Sequence, residues 1–433
     1  MSRRLIVDTG PLARVEGEGS LVIQGEADGI LDVRLNIFEP PRYYEAILQG
    51  RKVEEVVDIV SRICGICPVA YQVSALNALE SLLGVEVDEQ VQRLRRLMYL
   101  GEWIESHSLH VFMLAAPDFL KVPDVLTLAR KEPELVNRAL ALKHLGNGLM
   151  ALIGGREIHP VSLEIGGIYK APTREALLKV AAELDTLEAF AKEAVRFSAS
   201  LEGPELKREV TYVCLREKTG YAISGGDIIS NNGLSIPASS FEERFVEHQV
   251  EYSHALRSLT KEGSSYMVGP LARANLNFDQ LSPRARELAD EVGFRPPVTD
   301  PFKSIVARAL ELVHALDRVK EEVSLYAPPL RPHVGYEYRE GTGYGVSEAP
   351  RGTLYHSYRV NKKGIIEKAK IVPPTAQNQV RIEEDVKALA PSIVEASPEE
   401  GRRLAEMAVR NYDPCISCAT HFLRMKIGRS STH

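Results

Sequence analysis

The chain has 433 residues, 44% of them apolar and 26% charged, with a formal net charge of −6. Such a length excludes a small disulfide-stapled module and allows two or three domains or one large one, and the balance of charge excludes a basic nucleic-acid-binding surface or a disordered tail. Five cysteines, Cys64, Cys67, Cys214, Cys415 and Cys418, are too few and too clustered for a secreted disulfide framework, so reduced thiols in a cytoplasmic protein are expected.

At the N-terminus, Asp8 follows only three apolar residues, so no signal-peptide core is predicted. No window approaches the ~18 uncharged apolar residues of a membrane span. Residues 18–38 alternate in character about Ala27-Asp28-Gly29, which predicts a β-hairpin. From residue 68 the period becomes helical, with amphipathic segments over 68–83, 88–115, 132–152, 173–201, 240–261, 301–326 and 397–412. Ser397-Pro398-Glu399-Glu400 supplies a helix start with Ser as N-cap and Pro in the first turn. Two β patches interrupt the helices: 210–213 with 221–223, and 353–360 with 365–372 around Asn361-Lys362-Lys363-Gly364. No repeat or long linker divides the chain. The expectation is one large α+β unit, mostly helical, with small β-sheet decorations.

The strongest chemical signal is a pair of Cys-x-x-Cys elements near opposite ends, Cys64-Gly65-Ile66-Cys67 and Cys415-Ile416-Ser417-Cys418. Two thiolate pairs on tight turns invite a soft metal, and Gly65 reads as a source of backbone freedom for the first turn. Structural zinc fits the spacing, although zinc usually pins small local loops rather than the ends of a chain this long. Thioredoxin-like redox chemistry fits less well, since no βαβ pattern surrounds the first pair. Cys214 stands alone in a strand pattern and reads as a buried apolar residue. His107 and His110 lie three apart on a predicted helix and read as a packed face, because no acidic third ligand with familiar spacing accompanies them.

With their neighbours, Arg62-Ile63-Cys64-Gly65-Ile66-Cys67 and Asp413-Pro414-Cys415-Ile416-Ser417-Cys418-Ala419-Thr420-His421 resemble the large subunit of nickel-iron hydrogenases. Further segments agree in order: Arg14-Val15-Glu16-Gly17, Gly154-Gly155-Arg156-Glu157-Ile158-His159-Pro160, and Glu348-Ala349-Pro350-Arg351-Gly352. The resemblance spans nearly the whole chain and is greatest to the compact cytoplasmic branch, the sulfhydrogenase or NADP-linked soluble hydrogenase α subunits. It implies a hydrogenase-like fold over residues 1–421 and reversible heterolytic cleavage of H₂.

Several residue roles follow from the resemblance. Cys64 and Cys415 would be terminal nickel ligands, with Cys67 and Cys418 bridging to an iron that carries CO and cyanide. Glu16 would relay the proton from the Cys415 sulfur. Arg351 would lie over the open coordination site, with Asp118 and Asp413 as acidic partners and Pro350 lining the same pocket. Thr375 would hydrogen-bond a cyanide ligand. Glu45, His421 and the backbone carbonyl of Ile371 would bind a magnesium or similar ion. Where the family commonly has an outer-shell His, this sequence has Tyr71 followed by Gln72, so that role would pass to one of them.

Once four cysteines are assigned, only Cys214 remains, too few for an iron-sulfur relay. No Gly-x-Gly-x-x-Gly follows a strand either. An iron-sulfur small subunit is therefore implied as a partner, with flavin/NAD(P)-binding and further iron-sulfur subunits beyond it and NADP or polysulfide as the acceptor. Residues 422–433 would be an extension removed by a maturation protease after nickel-insertion proteins have loaded the site. The competing reading is a metal-free or zinc-stapled structural subunit of a quinone- or ferredoxin-linked complex.

Overall fold

The computed structural model describes residues 5–26 and 29–421. Long helices form its centre. Glu89–Leu109 packs against Pro133–Gly154 and against Ser304–Ser324, which also contacts Arg174–Ser200. Apolar stripes at helical spacing bury Leu94, Leu97, Trp103, Leu142, Leu149, Leu310 and Val313 in one continuous core. Side-chain caps start two of the helices, the one at Ser397 as expected. Thr173 Oγ1 accepts the Ala176 N–H at 3.2 Å, and Ser397 Oγ accepts that of Glu400 at 3.3 Å with Pro398 in the first turn.

Among the described residues three antiparallel meanders flank the helices, two of them with long strands. One comprises Leu5–Pro11, Gly19–Glu26 and Gly29–Ile37. The expected hairpin therefore forms, although its turn residues Ala27 and Asp28 lie outside the described residues. The other comprises Gly341–Ala349, Gly352–Val360 and Ile366–Val372 and packs on the helix Pro68–Leu83. Its last two strands agree with the expected hairpin at 353–372. Its first strand, carrying three glycines, gave no clear sequence pattern.

Two sequence expectations need correction. Residues 240–261 are not one helix. After the short turn of helix Phe241–Arg244, Phe245–Gln249 pairs antiparallel with Leu256–Thr260. Buried Phe245 and exposed Val246 are the first steps of a period-two alternation, and a 22-residue window blurs it with the helical turn before it. The expected partner of the 210–213 strand also differs: Val213–Arg216 pairs with Asp227–Ser230, and Tyr221-Ala222-Ile223 lies in the connection.

Candidate metal centre

The fold carries Cys64 and Cys67 on the loop between the helix Val53–Ser61 and the helix Pro68–Leu83. Cys64 Sγ accepts the N–H groups of Ile66 at 3.3 Å and Cys67 at 3.0 Å, which fixes the turn. Gly65 adopts no positive φ and a Cβ there would meet open space, so the amide-to-sulfur bonds, rather than glycine freedom, shape this loop. Beyond the turn, the buried Glu102 carboxylate accepts the Val69 N–H at 2.6 Å and the Ala70 N–H at 3.2 Å, capping the helix that follows Cys67.

Cys415 and Cys418 sit on a tight turn after the helix Pro398–Asn411. Asp413 turns the chain with φ 54°, a left-handed conformation that Asp tolerates better than most residues. The segment then runs beside Glu16: Cys415 forms a parallel bridge with it, and the Ile416 N–H donates to the Glu16 carbonyl at 2.9 Å. Gly17 makes this approach possible. A Cβ there would stand 2.8 Å from both Ile416 Cβ and Ser417 N, and the residue has φ +88°. Arg42 joins the two cysteine loops by donating to the carbonyls of Ile63 and Ser417.

All four sulfurs lie within 4.8 Å of one another, and every one is buried. Cys64 and Cys415 are 3.6 Å apart and Cys67 and Cys418 4.0 Å. Among the described residues this is the only group of three or more Cys, His, Asp or Glu side chains close enough together to hold one metal ion. Burial pushes the Cys67, Cys415 and Cys418 thiols up. Cys64 is also buried, but hydrogen bonds from the other thiols and the nearby Arg351 draw it well below the ordinary thiol range. Such a cluster accepts a soft cation by releasing protons from the remaining sulfurs.

Of the residues expected to surround the four sulfurs, all but one lie at the cluster. Glu16 Oε2 is 3.0 Å from Cys415 Sγ and also accepts the Ser417 N–H at 3.1 Å. Arg351 lies on the turn between Gly341–Ala349 and Gly352–Val360, next to buried Pro350. Its Nε donates to the Asp413 carbonyl at 2.8 Å and Nη2 to Asp413 Oδ1 at 3.0 Å, while buried Nη1 has no partner. Burial works against the guanidinium charge, but Asp413 and the sulfurs of Cys415, Cys67 and Cys64 outweigh it and keep Arg351 protonated. Thr375 Oγ1 accepts the Cys415 N–H at 2.9 Å.

Asp118 is the exception. Its carboxylate is taken by Arg410, with contacts of 2.7 and 2.8 Å, and by Arg14 at 2.5 Å, rather than by Arg351. It therefore braces the helix Pro398–Asn411 against the Arg14 loop, a bidentate pairing whose arginines no sequence motif linked to it.

A second donor group lies behind Cys418. His421 Nε2 is 2.5 Å from the Ile371 carbonyl oxygen and 3.6 Å from Glu45 Oε1, and Glu45 Oε1 accepts the Ile371 N–H at 2.8 Å. Carboxylate, carbonyl and imidazole converge there, a set that suits a divalent cation.

Of the two candidates for the outer-shell position, Gln72 turns away and donates to the Pro160 carbonyl at 2.7 Å. Tyr71 stays beside the cluster, with its ring 5.6 Å from that of His356 and its buried hydroxyl unpaired. His107 and His110 are interior residues, bonded to Glu311 at 2.8 Å and to the Arg410 carbonyl at 2.9 Å. Cys214 is buried in its strand. Arg42, Glu102 and Arg410 were missed by sequence reasoning, because isolated charged residues without spacing carry no signal of what they bind.

Comparison with known proteins agrees with this geometry. The nickel-dependent hydrogenase family matches residues 42–148 and 235–421. The alpha chain of sulfhydrogenase 1 from Pyrococcus furiosus is 36% identical over 418 residues, which cover 96% of this chain and 97% of that protein. The corresponding alpha chain of sulfhydrogenase 2 from the same organism is 34% identical over 424 residues, covering 97% of this chain and 100% of its own. Among solved structures, an NAD⁺-reducing [NiFe]-hydrogenase superposes with a TM-score of 0.85 at 28% identity, covering 97% of this chain and 99% of its own. The Ni-Fe-Se hydrogenase of D. vulgaris Hildenborough shares the fold, with a TM-score of 0.81 at 23% identity, over 97% of this chain and 100% of its own. With the four thiols converged and the family matched over most of its length, this chain belongs to the nickel-dependent hydrogenases.

Proposed function

We propose that the chain is the catalytic subunit that cleaves H₂ reversibly to two protons and two electrons, using Cys64, Cys67, Cys415 and Cys418 to hold a nickel-iron pair. The observation that carries this reading is the convergence of four buried thiols from opposite ends of the chain within 4.8 Å. When bound, the metal pair supplies a soft, redox-active centre at which dihydrogen is polarised and split.

The protein residues then have distinct tasks. Glu16 Oε2, 3.0 Å from Cys415 Sγ, is placed to take a proton from that sulfur, and the Ser417 N–H holds the carboxylate in that direction. Arg351 puts a fixed positive charge beside the sulfurs. Asp413 grips the Nε–Nη2 edge of its guanidinium and leaves Nη1 free. The buried side chains around the cluster exclude water, which strengthens these charge interactions. The hydroxyl hydrogen of Thr375 remains available for a diatomic iron ligand, since its oxygen serves the Cys415 amide. Glu45, Ile371 and His421 would hold a magnesium or similar ion that ties the chain behind Cys418 to the strand Ile366–Val372.

Electrons must leave through another chain. The only cysteine outside the cluster is Cys214, so an iron-sulfur small subunit is the proposed partner, followed by flavin/NAD(P)-binding and further iron-sulfur subunits and by NADP or polysulfide. No helix among the described residues is long and apolar enough to cross a membrane, and the assembly is proposed to be cytoplasmic. Residues 422–433 are proposed to be removed by a maturation protease after nickel-insertion proteins have acted. His421 is fully buried and its carbonyl accepts the Glu45 N–H at 3.2 Å, a seating that a chain end at this residue would complete.

Hydrogen-dependent reduction of an artificial dye by the purified complex tests the reading. Turnover that disappears when Cys415 is replaced by Ser supports it; dye reduction that survives this replacement overturns it.

A further inference from the structure

The turn that presents Arg351 is held from behind by a second arginine. Arg273, on the helix Pro270–Leu276, is completely buried, and each of its five N–H groups has an acceptor. Nε donates to Glu311 Oε1 at 2.7 Å. Nη1 donates to Glu348 Oε2 and to the Ala349 carbonyl, both at 2.9 Å. Nη2 donates to Glu311 Oε2 at 2.7 Å and to the Pro350 carbonyl at 3.1 Å. The two carbonyls belong to the residues immediately before Arg351.

The two acids are themselves fixed. Glu348 Oε1 accepts the Leu215 N–H at 2.7 Å and the Thr353 hydroxyl at 2.8 Å, so it joins the strand ends on both sides of the turn. Glu311, on the helix Ser304–Ser324, also contacts Tyr221 Oη at 2.7 Å and His107 Nε2 at 2.8 Å. Trp103 covers the guanidinium face at 4.4 Å and donates its indole N–H to the Glu348 carbonyl at 2.9 Å. A buried network of this size is more than the fold needs at a strand turn, since burying such charges is costly and apolar packing stabilises as well or better. It places the backbone to a tolerance that apolar contacts do not set, because hydrogen bonds are directional.

We propose that Arg273 is a positioning residue for the reaction, setting the direction of Arg351 by holding the Ala349 and Pro350 carbonyls. It touches neither sulfur nor Arg351 itself and acts through the turn. The inference rests on the reading that Arg351 works beside the metal pair. Lysine cannot replace Arg273, because an ammonium has three donors and no planar fork with which to hold two carbonyls and two carboxylates.

The test is a double-variant cycle in the purified, nickel-loaded complex with Arg273→Lys, Arg351→Lys and the pair. Metal content, turnover and the infrared bands of the iron-bound carbon monoxide and cyanide are recorded for each. Arg273→Lys should keep nickel and iron at the wild-type level and lose at least tenfold in turnover. It should move the infrared bands in the same direction as Arg351→Lys. The double variant should be no slower than Arg351→Lys alone, since a residue that only aims Arg351 has nothing left to aim. Losses that multiply, or wild-type turnover in Arg273→Lys, overturn the inference. Wild-type turnover and bands in Arg351→Lys instead overturn the reading beneath it. Should Arg273→Lys fail to fold, Glu348→Gln preserves the shape and the acceptor for Leu215 but weakens the grip on Arg273. It should give a smaller loss that again does not multiply with Arg351→Lys, and a multiplicative loss overturns the proposal.

Discussion

Replacing Glu16 by Gln separates proton transfer from every other event at the cluster. The carboxylate oxygen that lies 3.0 Å from Cys415 Sγ also accepts the Ser417 N–H at 3.1 Å. A glutamine has the same length and retains one acceptor oxygen for that amide, and the backbone bond from Ile416 to the Glu16 carbonyl is untouched. Nickel and iron content should therefore stay near that of the wild type. What disappears is the group able to bind and release a proton beside the sulfur. A positioned general acid or base contributes about 10²–10⁴ in rate, equivalent to about 3–5 kcal/mol of barrier at 1.36 kcal/mol per factor of ten. The assay is exchange of H₂ against D₂O by the loaded enzyme, followed by mass spectrometry of H₂, HD and D₂. Exchange should fall by the same two to four orders of magnitude. Glu16→Asp should fall between, because a shortened side chain withdraws the carboxylate from the 3.0 Å contact. Wild-type exchange in a fully loaded Glu16→Gln enzyme would refute the argument, since another group would then have to carry the proton.

Asp118→Ala should lower the free energy of unfolding by up to about 3–5 kcal/mol, because it removes the bidentate partner of the buried Arg410 and leaves only Glu406, at 2.9 Å, to balance that charge; denaturant unfolding checks this, and an unchanged midpoint would contradict the pairing. Burial holds His107 down to about 4 and His314 to about 3. The unfolded chain takes up these protons below about 6.5 while the folded chain does not, so stability should fall as pH drops from 6.5 towards 4, at up to about 1.4 kcal/mol per pH unit for each histidine. In His314→Gln, unfolding midpoints across this range should show a shallower acid slope. Intact-mass spectrometry of nickel-loaded protein should find a chain ending at His421, lighter by about 1.3 kDa as the share of twelve residues in a 433-residue, 48.0 kDa chain. A loaded, active enzyme ending at His433 would contradict removal of the extension.

The ligand cluster was readable because Cys-x-x-Cys is a local pattern whose chemistry is set by residue type, and the Ser397-Pro398 start was readable because capping is local as well. The strand Gly341–Ala349 escaped notice because its glycines carry no period-two signal; their place is settled by the helix packed against them. Asp118 was assigned to the wrong arginine for a related reason. An isolated acid does not reveal which of several arginines will reach it, and in the fold Arg410 and Arg14 arrive from opposite ends of the chain. Arg273 carried no signal at all. Its five acceptors come from four separate residues, brought together only when the helix Ser304–Ser324 and the Glu348 strand pack against Pro270–Leu276.

Metal analysis of the purified complex tests the central claim most directly. Four buried thiols with Arg351 and Glu16 beside them predict nickel at about one atom per chain in this subunit, with iron at the same level beyond that accounted for by iron-sulfur partners. Replacement of Cys64 or Cys415 should abolish the nickel. One zinc per chain with no nickel, in protein produced together with its maturation partners, would contradict the account and make the cluster a structural clasp.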